Sequence, residues 1–270
     1  MPTNDLEGRA YVVTGASSGV GLAAVRGLVA RGAHVIGASR SGARGDASEG
    51  LALDLTDPEA IRRAADGVRR ARSALDGLVH AAGGIYFEPQ VSRFGVDRTW
   101  AVDYLGHVLL THELWSLLAS APRARIATVA GNPRFVRPSS FDPTALERPP
   151  TSGLAGASLA MSMRVLWTHS LARRCEGTRI TALAFHPGLV RSNLVGNGPW
   201  IVRTSARLLN AWASPHCAIA VRCATDASLD RDSGALIDPS GRAHRFPALE
   251  AHEATLTTIS ARLIGRAAAA

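Results

Sequence analysis

The sequence predicts an α/β fold: a doubly wound, mostly parallel sheet forming a single domain over residues 1–270. Three observations carry this reading. Apolar runs of strand length alternate with longer stretches of helical period, and the first run ends in a glycine-rich turn, Thr14-Gly15-Ala16-Ser17-Ser18-Gly19-Val20-Gly21. The composition, 46% hydrophobic and 19% charged, is that of an ordinary globular chain able to bury a large core. Strands buried on both faces and joined by helical crossovers form parallel sheets wound right-handedly.

Taken in order, Arg9–Gly15 reads as the first strand and Val20–Ala30 as the first helix. His34–Ala38 and Leu51–Leu55 are the next two strands, followed by a helix over Pro58–Leu75. Leu78–Ala82 is the fourth strand, and a long helix is expected through about Asp97–Leu118. Arg125–Val129, a helix near Gly153–Arg174 and a strand at Ile180–Phe185 continue the alternation. A last strand near Gly234–Ile237 precedes a terminal helix at about Leu249–Leu263. Irregular stretches near 131–151 and 190–213 are expected to wall a site rather than divide domains.

Charge and cysteine usage narrow the classes. The formal net charge is +8, and all thirty basic residues are arginine. Arg62, Arg63, Arg69, Arg70 and Arg72 fall on one predicted helix, either a docking patch for an anionic partner or a solvated outer face; the second is expected. No aromatic interleaving or nucleic-acid module points to DNA or RNA. Met1–Gly8 is polar and runs straight into the first strand, so no signal peptide is expected, and no apolar run approaches a membrane span. Three cysteines give no disulfide framework, which suits a reducing cytoplasm. No metal-ligand spacing and no Gly-x-Ser-x-Gly elbow is present.

The turn after the first strand has a physical purpose. Gly15 permits a sharp strand-to-helix reversal, and Gly19 and Gly21 let backbone approach a pyrophosphate at a helix start rich in free N–H groups. A Rossmann-type dinucleotide site follows from that context rather than from the glycines alone.

This loop resembles that of the short-chain dehydrogenase/reductase superfamily. Asp54-Leu55, His80-Ala81-Ala82-Gly83 and Pro187-Gly188-Leu189-Val190-Arg191-Ser192 stand where that family has its adenine-side Asp, its Asn-Asn-Ala-Gly and its Pro-Gly segment beside the nicotinamide. Leu105-Gly106-His107 and Phe185-His186-Pro187-Gly188 resemble the retinol-dehydrogenase-like branch, and the likeness covers roughly Arg9–Gly265. The resemblance implies that Gly15, Ser17, Ser18, Gly19, Val20, Gly21, Ser39, Arg40, Asp54, Leu55, Ala81, Ala82, Gly83, Pro187, Gly188, Leu189, Val190 and Ser192 bind the cofactor. Strand two ends Ala38-Ser39-Arg40 with no acid until Asp46, so NADP(H) is expected over NAD.

The family's proton relay is not in the sequence. Registering Leu171-Ala172-Arg173-Arg174 on the end of the family's active-site helix places Ala157 at its Tyr and Met161 at its Lys. Gly131 then stands at its Ser and Asp103 at its Asn. Tyrosines occur only at 11, 86 and 104, so a shift of register restores nothing. These exchanges predict a larger, less polar pocket for a bulky apolar or aromatic ligand, and weakened NADP(H) binding. Asp103 can still titrate, and His107 follows four residues later on the same helical face, so both are candidate acid–base groups; isosteric replacement and a structural histidine are the bland alternative.

Three functions remain open. One is a repurposed enzyme that cyclises, isomerises or dehydrates a bulky polycyclic or polyketide-like metabolite. The others are a non-catalytic NADP(H)-binding protein and a residual oxidoreductase acting on an activated quinone or enone. A homodimer through the two long helices is the favoured assembly, because Leu154, Leu159, Met163, Leu166 and Trp167 offer more apolar surface than one sheet contact requires.

Overall fold

The structure, a computed structural model, describes residues 4–148, 153–192, 198, 200, 204, 210 and 212–269. Parts of the two expected site walls, 149–152 and most of 193–211, lie outside the described residues. One sheet of eight strands runs β3-β2-β1-β4-β5-β6-β7-β8. These strands are β1 (Ala10–Thr14), β2 (His34–Ser39), β3 (Glu49–Ala52), β4 (Gly77–His80), β5 (Ala124–Val129), β6 (Ile180–Phe185), β7 (Leu236–Ile237) and β8 (Ala243–His244). All neighbours are parallel except β7 with β8. The strand order reverses between β1 and β4, the place where doubly wound sheets open a crevice at their carboxyl ends.

Helices cover both faces. On one side α1 (Gly19–Val29) and α7 (Ala218–Thr225) pack over Val13, Val79, Ala127 and Leu183. On the other, α2 (Pro58–Ala71), α6 (Gly153–Arg174) and α8 (Glu253–Ala269) enclose Val12, Leu78, Ile126 and Ala182. α2 starts where its sequence dictates: the Asp57 carboxylate accepts the Glu59 N–H at 2.9 Å, and Pro58 occupies a first-turn position needing no donor. Arg62 and Arg69 on this helix pair with Glu113, and Arg72, just past its end, pairs with Glu49. No described helix is long and apolar enough to cross a membrane.

The helix expected over Asp97–Leu118 is four pieces. α3 (Arg98–Trp100) leads into a π-helical turn, Ala101–Leu105, then α4 (Gly106–Glu113) and α5 (Trp115–Ser120). Tertiary contacts hold the irregular turn: the Trp100 indole N–H reaches the Gly156 carbonyl at 3.3 Å, and Tyr104 Oη bonds Ser260 Oγ at 2.9 Å. Gly106 lies so close to the strand-three loop that a Cβ there would meet Leu55 O at 2.6 Å. Sequence periodicity also overlooked α7 and the short antiparallel β8, and placed β3 two residues late. The stretch after β5 contains three 3₁₀ turns. Met163, Leu166 and Trp167 are buried in the chain's own core, so the surplus apolar surface expected of α6 is not there at those positions.

Gly21 is the tightest helix–strand contact near the cleft, since a Cβ on it would stand 2.3 Å from Gly15 O. Gly21→Ala should therefore push α1 off β1 and destabilise the fold by about 1–3 kcal/mol, the usual cost of overpacking. Urea unfolding of the variant measures this; an unchanged midpoint would refute the packing argument.

Candidate functional site

A cleft of about 430 Å³ opens at the carboxyl ends of the central strands. One end is a phosphate cradle. Gly15 and Gly19 take positive φ, 68° and 57°, and α1 begins with no side chain capping its free N–H groups. Thr14 Oγ1 accepts the Ala81 and Ala82 N–H groups, each at 3.1 Å, and so locks the end of β1 to the end of β4. A Cβ on Gly15 would strike Ala82 Cα at 2.8 Å, leaving backbone alone to face the cleft. Of the predicted cofactor residues, Gly15, Ser17, Ser18, Gly19, Val20, Ser39, Arg40, Asp54, Leu55, Ala81, Ala82, Gly83, Pro187, Gly188, Leu189, Val190 and Ser192 line it. Gly21 does not; it supports Gly15 from behind. Arg40 is exposed at the end of β2, and Asp54 commits only Oδ1 to the Thr56 N–H and hydroxyl. Such a cradle fits a dinucleotide: backbone donors face one stretch, and a guanidinium flanks the far end.

The other end of the cleft brings Gly131, Ala157, Met161 and Asp103 together. Gly131 has φ 78°, and a Cβ on it would lie 2.6 Å from Met161 Sδ. Asp103 is presented by the π turn, in keeping with the frequent siting of such turns at functional groups. It is buried, its Oδ1 accepting the Gly84 N–H at 3.0 Å and its Oδ2 facing Arg164 Nη2 at 3.3 Å. Burial raises its carboxyl to about 6, against the opposing pull of Arg164 and the Gly84 N–H. Desolvation likewise lowers the Arg164 guanidinium, and Asp103 opposes it. Neither charge fully compensates its partner's lost water.

Arg164 was missed in the sequence. It stands seven residues after Ala157 and three after Met161, hence on the same helical stripe, and that spacing was the available signal. Tyr86 was also overlooked. It lines the cleft with its ring under the Arg98 guanidinium, 4.5 Å from its centroid. Burial and then the Asp103 charge push its phenol upward, so it stays protonated.

His107 is not among the residues lining the cleft. It lies beneath, its Nε2 3.5 Å from Thr14 Oγ1 and its ring 4.4 Å from that of His80. Thr14, His80 and Thr128 are register partners on β1, β4 and β5, forming a transverse polar row on one sheet face. His80 Nε2 meets Thr111 Oγ1 at 2.7 Å. His80 Nδ1, Thr128 Oγ1 and Arg164 Nε have no protein partner among the described residues. Burial holds both imidazoles neutral, His80 at about 3 and His107 well below its ordinary range.

These shifts set opposite pH dependences. The histidines' contribution to stability is complete above about pH 6.5 and is lost as pH falls toward the folded values, because only the unfolded chain then takes up protons. Asp103 contributes on the acid side and loses that contribution as pH rises through about 6. His80→Asn should therefore reduce the slope of stability against pH between pH 6 and 4 by up to about 1.4 kcal/mol per pH unit. Urea unfolding across that window checks it, and an unchanged slope would show that His80 titrates alike in both states. The Asp103 carboxyl itself should titrate near pH 6 in carbon-detected NMR, with that resonance absent from Asp103→Asn; titration in the ordinary carboxylate range would contradict the burial argument.

Comparison with known proteins bears on this geometry. A family model described as short chain dehydrogenase matches residues 9–139. Human retinol dehydrogenase 12 is 30% identical over 238 residues, covering 80% of this chain and 74% of its own. The bovine retinol dehydrogenase 12 is 34% identical over 203 residues, or 70% and 64% of the two chains. Among solved structures, an uncharacterised protein from Mycobacterium paratuberculosis is similar at a TM-score of 0.70 and 27% identity, covering 97% of each chain. A short chain dehydrogenase from Burkholderia cenocepacia, solved in complex with NADP, has a TM-score of 0.61 at 22% identity over 86% of this chain and 96% of its own, a likeness of fold alone. With its sheet order, its glycine turn and relatives of this identity and coverage, the chain belongs to the short-chain dehydrogenase/reductase superfamily, and retinol dehydrogenases are among its relatives.

Proposed function

We propose that this chain is an NADP(H)-binding short-chain dehydrogenase-type enzyme whose proton chemistry rests on Asp103. The substrate would be a bulky apolar or aromatic metabolite, and the reaction a cyclisation, isomerisation or dehydration. The observation that carries the reading is a buried carboxyl at about 6, facing a buried guanidinium, in the same cleft as the phosphate cradle. A group titrating there is matched to general acid–base work near neutrality. Gly131, Ala157 and Met161 read as replacements of the family's Ser, Tyr and Lys, and they leave an apolar wall beside it.

Gly15–Val20 would cradle the pyrophosphate and Arg40 the 2′-phosphate, with Pro187–Ser192 alongside the nicotinamide. When bound, the nicotinamide supplies or accepts a hydride. The NADP complex of the Burkholderia fold relative supports choosing this nucleotide, as does the lack of an acid at the end of β2. Without Tyr and Lys hydroxyl and ammonium contacts to the ribose, binding should be weaker than in relatives that keep them, each lost bond being worth about 0.5–1.5 kcal/mol or more. A second reading, hydride transfer to an activated quinone or enone, is favoured by the intact cradle, because such acceptors need no strong acid from the protein.

Two experiments test the proposal. Calorimetry should show Arg40→Ala weakening NADPH about tenfold or more while sparing NADH, in line with a charged hydrogen bond; a preference for NADH in the unmodified protein would overturn the nucleotide assignment. Conversion of bulky polycyclic ketones and polyketide-like substrates, followed by mass spectrometry with NADPH present, should fall about 10²–10⁴-fold in Asp103→Asn with nucleotide affinity unchanged. Full activity in that variant, or brisk NADPH oxidation with a simple ketone, would sink the Asp103 reading.

A further inference from the structure

We propose that Arg164 holds the substrate oxyanion in this cleft, and that the substrates are therefore bulky carbonyl compounds with an acidic C–H beside the carbonyl. The inference rests on the Asp103 reading above and names what that carboxylate works on. Its starting point is an underused guanidinium. Arg164 is only 7% exposed, yet among the described residues the sole protein hydrogen bond of its guanidinium is the 3.3 Å contact from Nη2 to Asp103. Nε is buried without a partner, and Nη1 has none either. A cation this far out of water normally has its donors filled; Nε is closed off, so the open Nη1 marks the place for an acceptor.

Gly83 shows where that acceptor fits. A Cβ on this residue would lie 3.1 Å from Asp103 Oδ1 and 3.5 Å from Arg164 Nη1. Carboxylate and guanidinium thus border the same bare stretch of backbone at the cleft wall, and even a Cβ there would crowd Oδ1. The cleft's other arginines are engaged or remote. Arg98 lies over Tyr86 and donates to Gln90 Oε1 at 2.7 Å, and Arg40 is exposed at the phosphate end.

Charge bookkeeping then selects the reaction. With Asp103 ionised, the pair is neutral. As a substrate C–H proton moves to the Asp103 carboxylate, the C–H electron pair becomes a C=C bond and the carbonyl π pair moves onto oxygen. The carboxyl is now neutral, and the Arg164 charge passes from it to the new enolate oxygen. The site keeps the same net charge throughout, which matters where little water is present to reorganise. Where the substrate carries a β,γ double bond, the enolate is a dienolate, and return of the proton to its γ-carbon gives isomerisation. Loss of a β-hydroxyl, protonated by the same carboxyl and leaving as water, gives dehydration. Neither route changes the oxidation level of the substrate as a whole.

The test uses a nitronaphthol, whose phenolate mimics an enolate and absorbs at longer wavelength than the phenol. The unmodified protein should bind the phenolate form and lower the pH at which the bound probe ionises. Asp103→Asn, which frees the guanidinium and removes the competing charge, should bind phenolate at least tenfold more tightly. Arg164→Gln should lose the preference for phenolate, and Arg164→Lys should regain part of it. Proton exchange at the α-carbons of 2-tetralone and a tricyclic 1,3-diketone in D₂O, followed by NMR, should be accelerated by the unmodified protein and lost in both Asp103→Asn and Arg164→Gln. If Arg164→Gln does not fold, as judged by NADPH binding, the Asp103→Asn arm decides: no tightening overturns the proposal. Wild-type phenolate affinity in folded Arg164→Gln, or exchange retained there, also overturns it. Exchange lost only in Asp103→Asn rejects Arg164 and leaves the Asp103 reading standing, while exchange retained in both variants rejects both.

Discussion

Asp103 and Arg164 face each other in a place where either charge alone would be intolerable. Taking an ion from water into a protein interior costs several kcal/mol, and a partner offsets it only with good geometry and filled hydrogen bonds. Here the contact is 3.3 Å through a single N–H, the second carboxylate oxygen has the Gly84 N–H, and Arg164 Nε has nothing. Burial accordingly raises the acid and lowers the base. The pair is held by its surroundings more than by its own attraction. The π turn aims the carboxylate, α6 aims the guanidinium, and Trp100 and Tyr104 tie that turn to α6 and α8.

The same constraint explains why the two ends of the cleft differ. The phosphate end uses backbone N–H groups and an exposed arginine, which suit an anion that keeps some of its water. The Asp103 end is walled by Val102, Val129, Ala157 and Met161, whose side chains carry no hydrogen-bonding group to compete with the ion pair. In that low-dielectric setting each polar contact is stronger, and each unfilled one more costly. Beneath it the Thr14–His80–Thr128 row keeps a polar seam inside an otherwise apolar layer, with neutral imidazoles that add no third charge.

Much of this was legible in the sequence, and the rest was hidden for identifiable reasons. The β1 turn, the alternation of strands and helices, and the gathering of 103, 131, 157 and 161 at one cleft follow from local pattern and family register. The π turn leaves no compositional mark, because Gly106 packing on Leu55 and two distant hydrogen bonds create it. That turn also ends the simple helical register assumed for Asp103 and His107, which point to different surroundings, one to the cleft and one to the sheet. Arg164 escaped notice because α6 is buried on several sides, and a lone arginine there looks like ordinary surface charge until burial is known. β8 spans two residues, too short for any period to register.

Gly131 and Met161 bear on whether this site is a damaged relay or a different solution. Under the family register these two positions would carry Ser and Lys. In this fold a Cβ at 131 would stand 2.6 Å from Met161 Sδ, on a backbone with φ 78° that disfavours any side chain. Met161 Sδ, far out on a flexible side chain, occupies the room that a Cβ at 131 would need, and Gly131 leaves it that room. A relay that had merely lost a group would leave space shaped for it, and restoring one residue would meet no obstacle. Here the apolar filler lies against the bare glycine, and the ion pair lines the same cleft. Arg164 stands three residues beyond Met161 on α6, where its guanidinium reaches a carboxylate. A phenol relay hands protons to oxygen; under the proposed function, a carboxylate beside a guanidinium would take them from carbon.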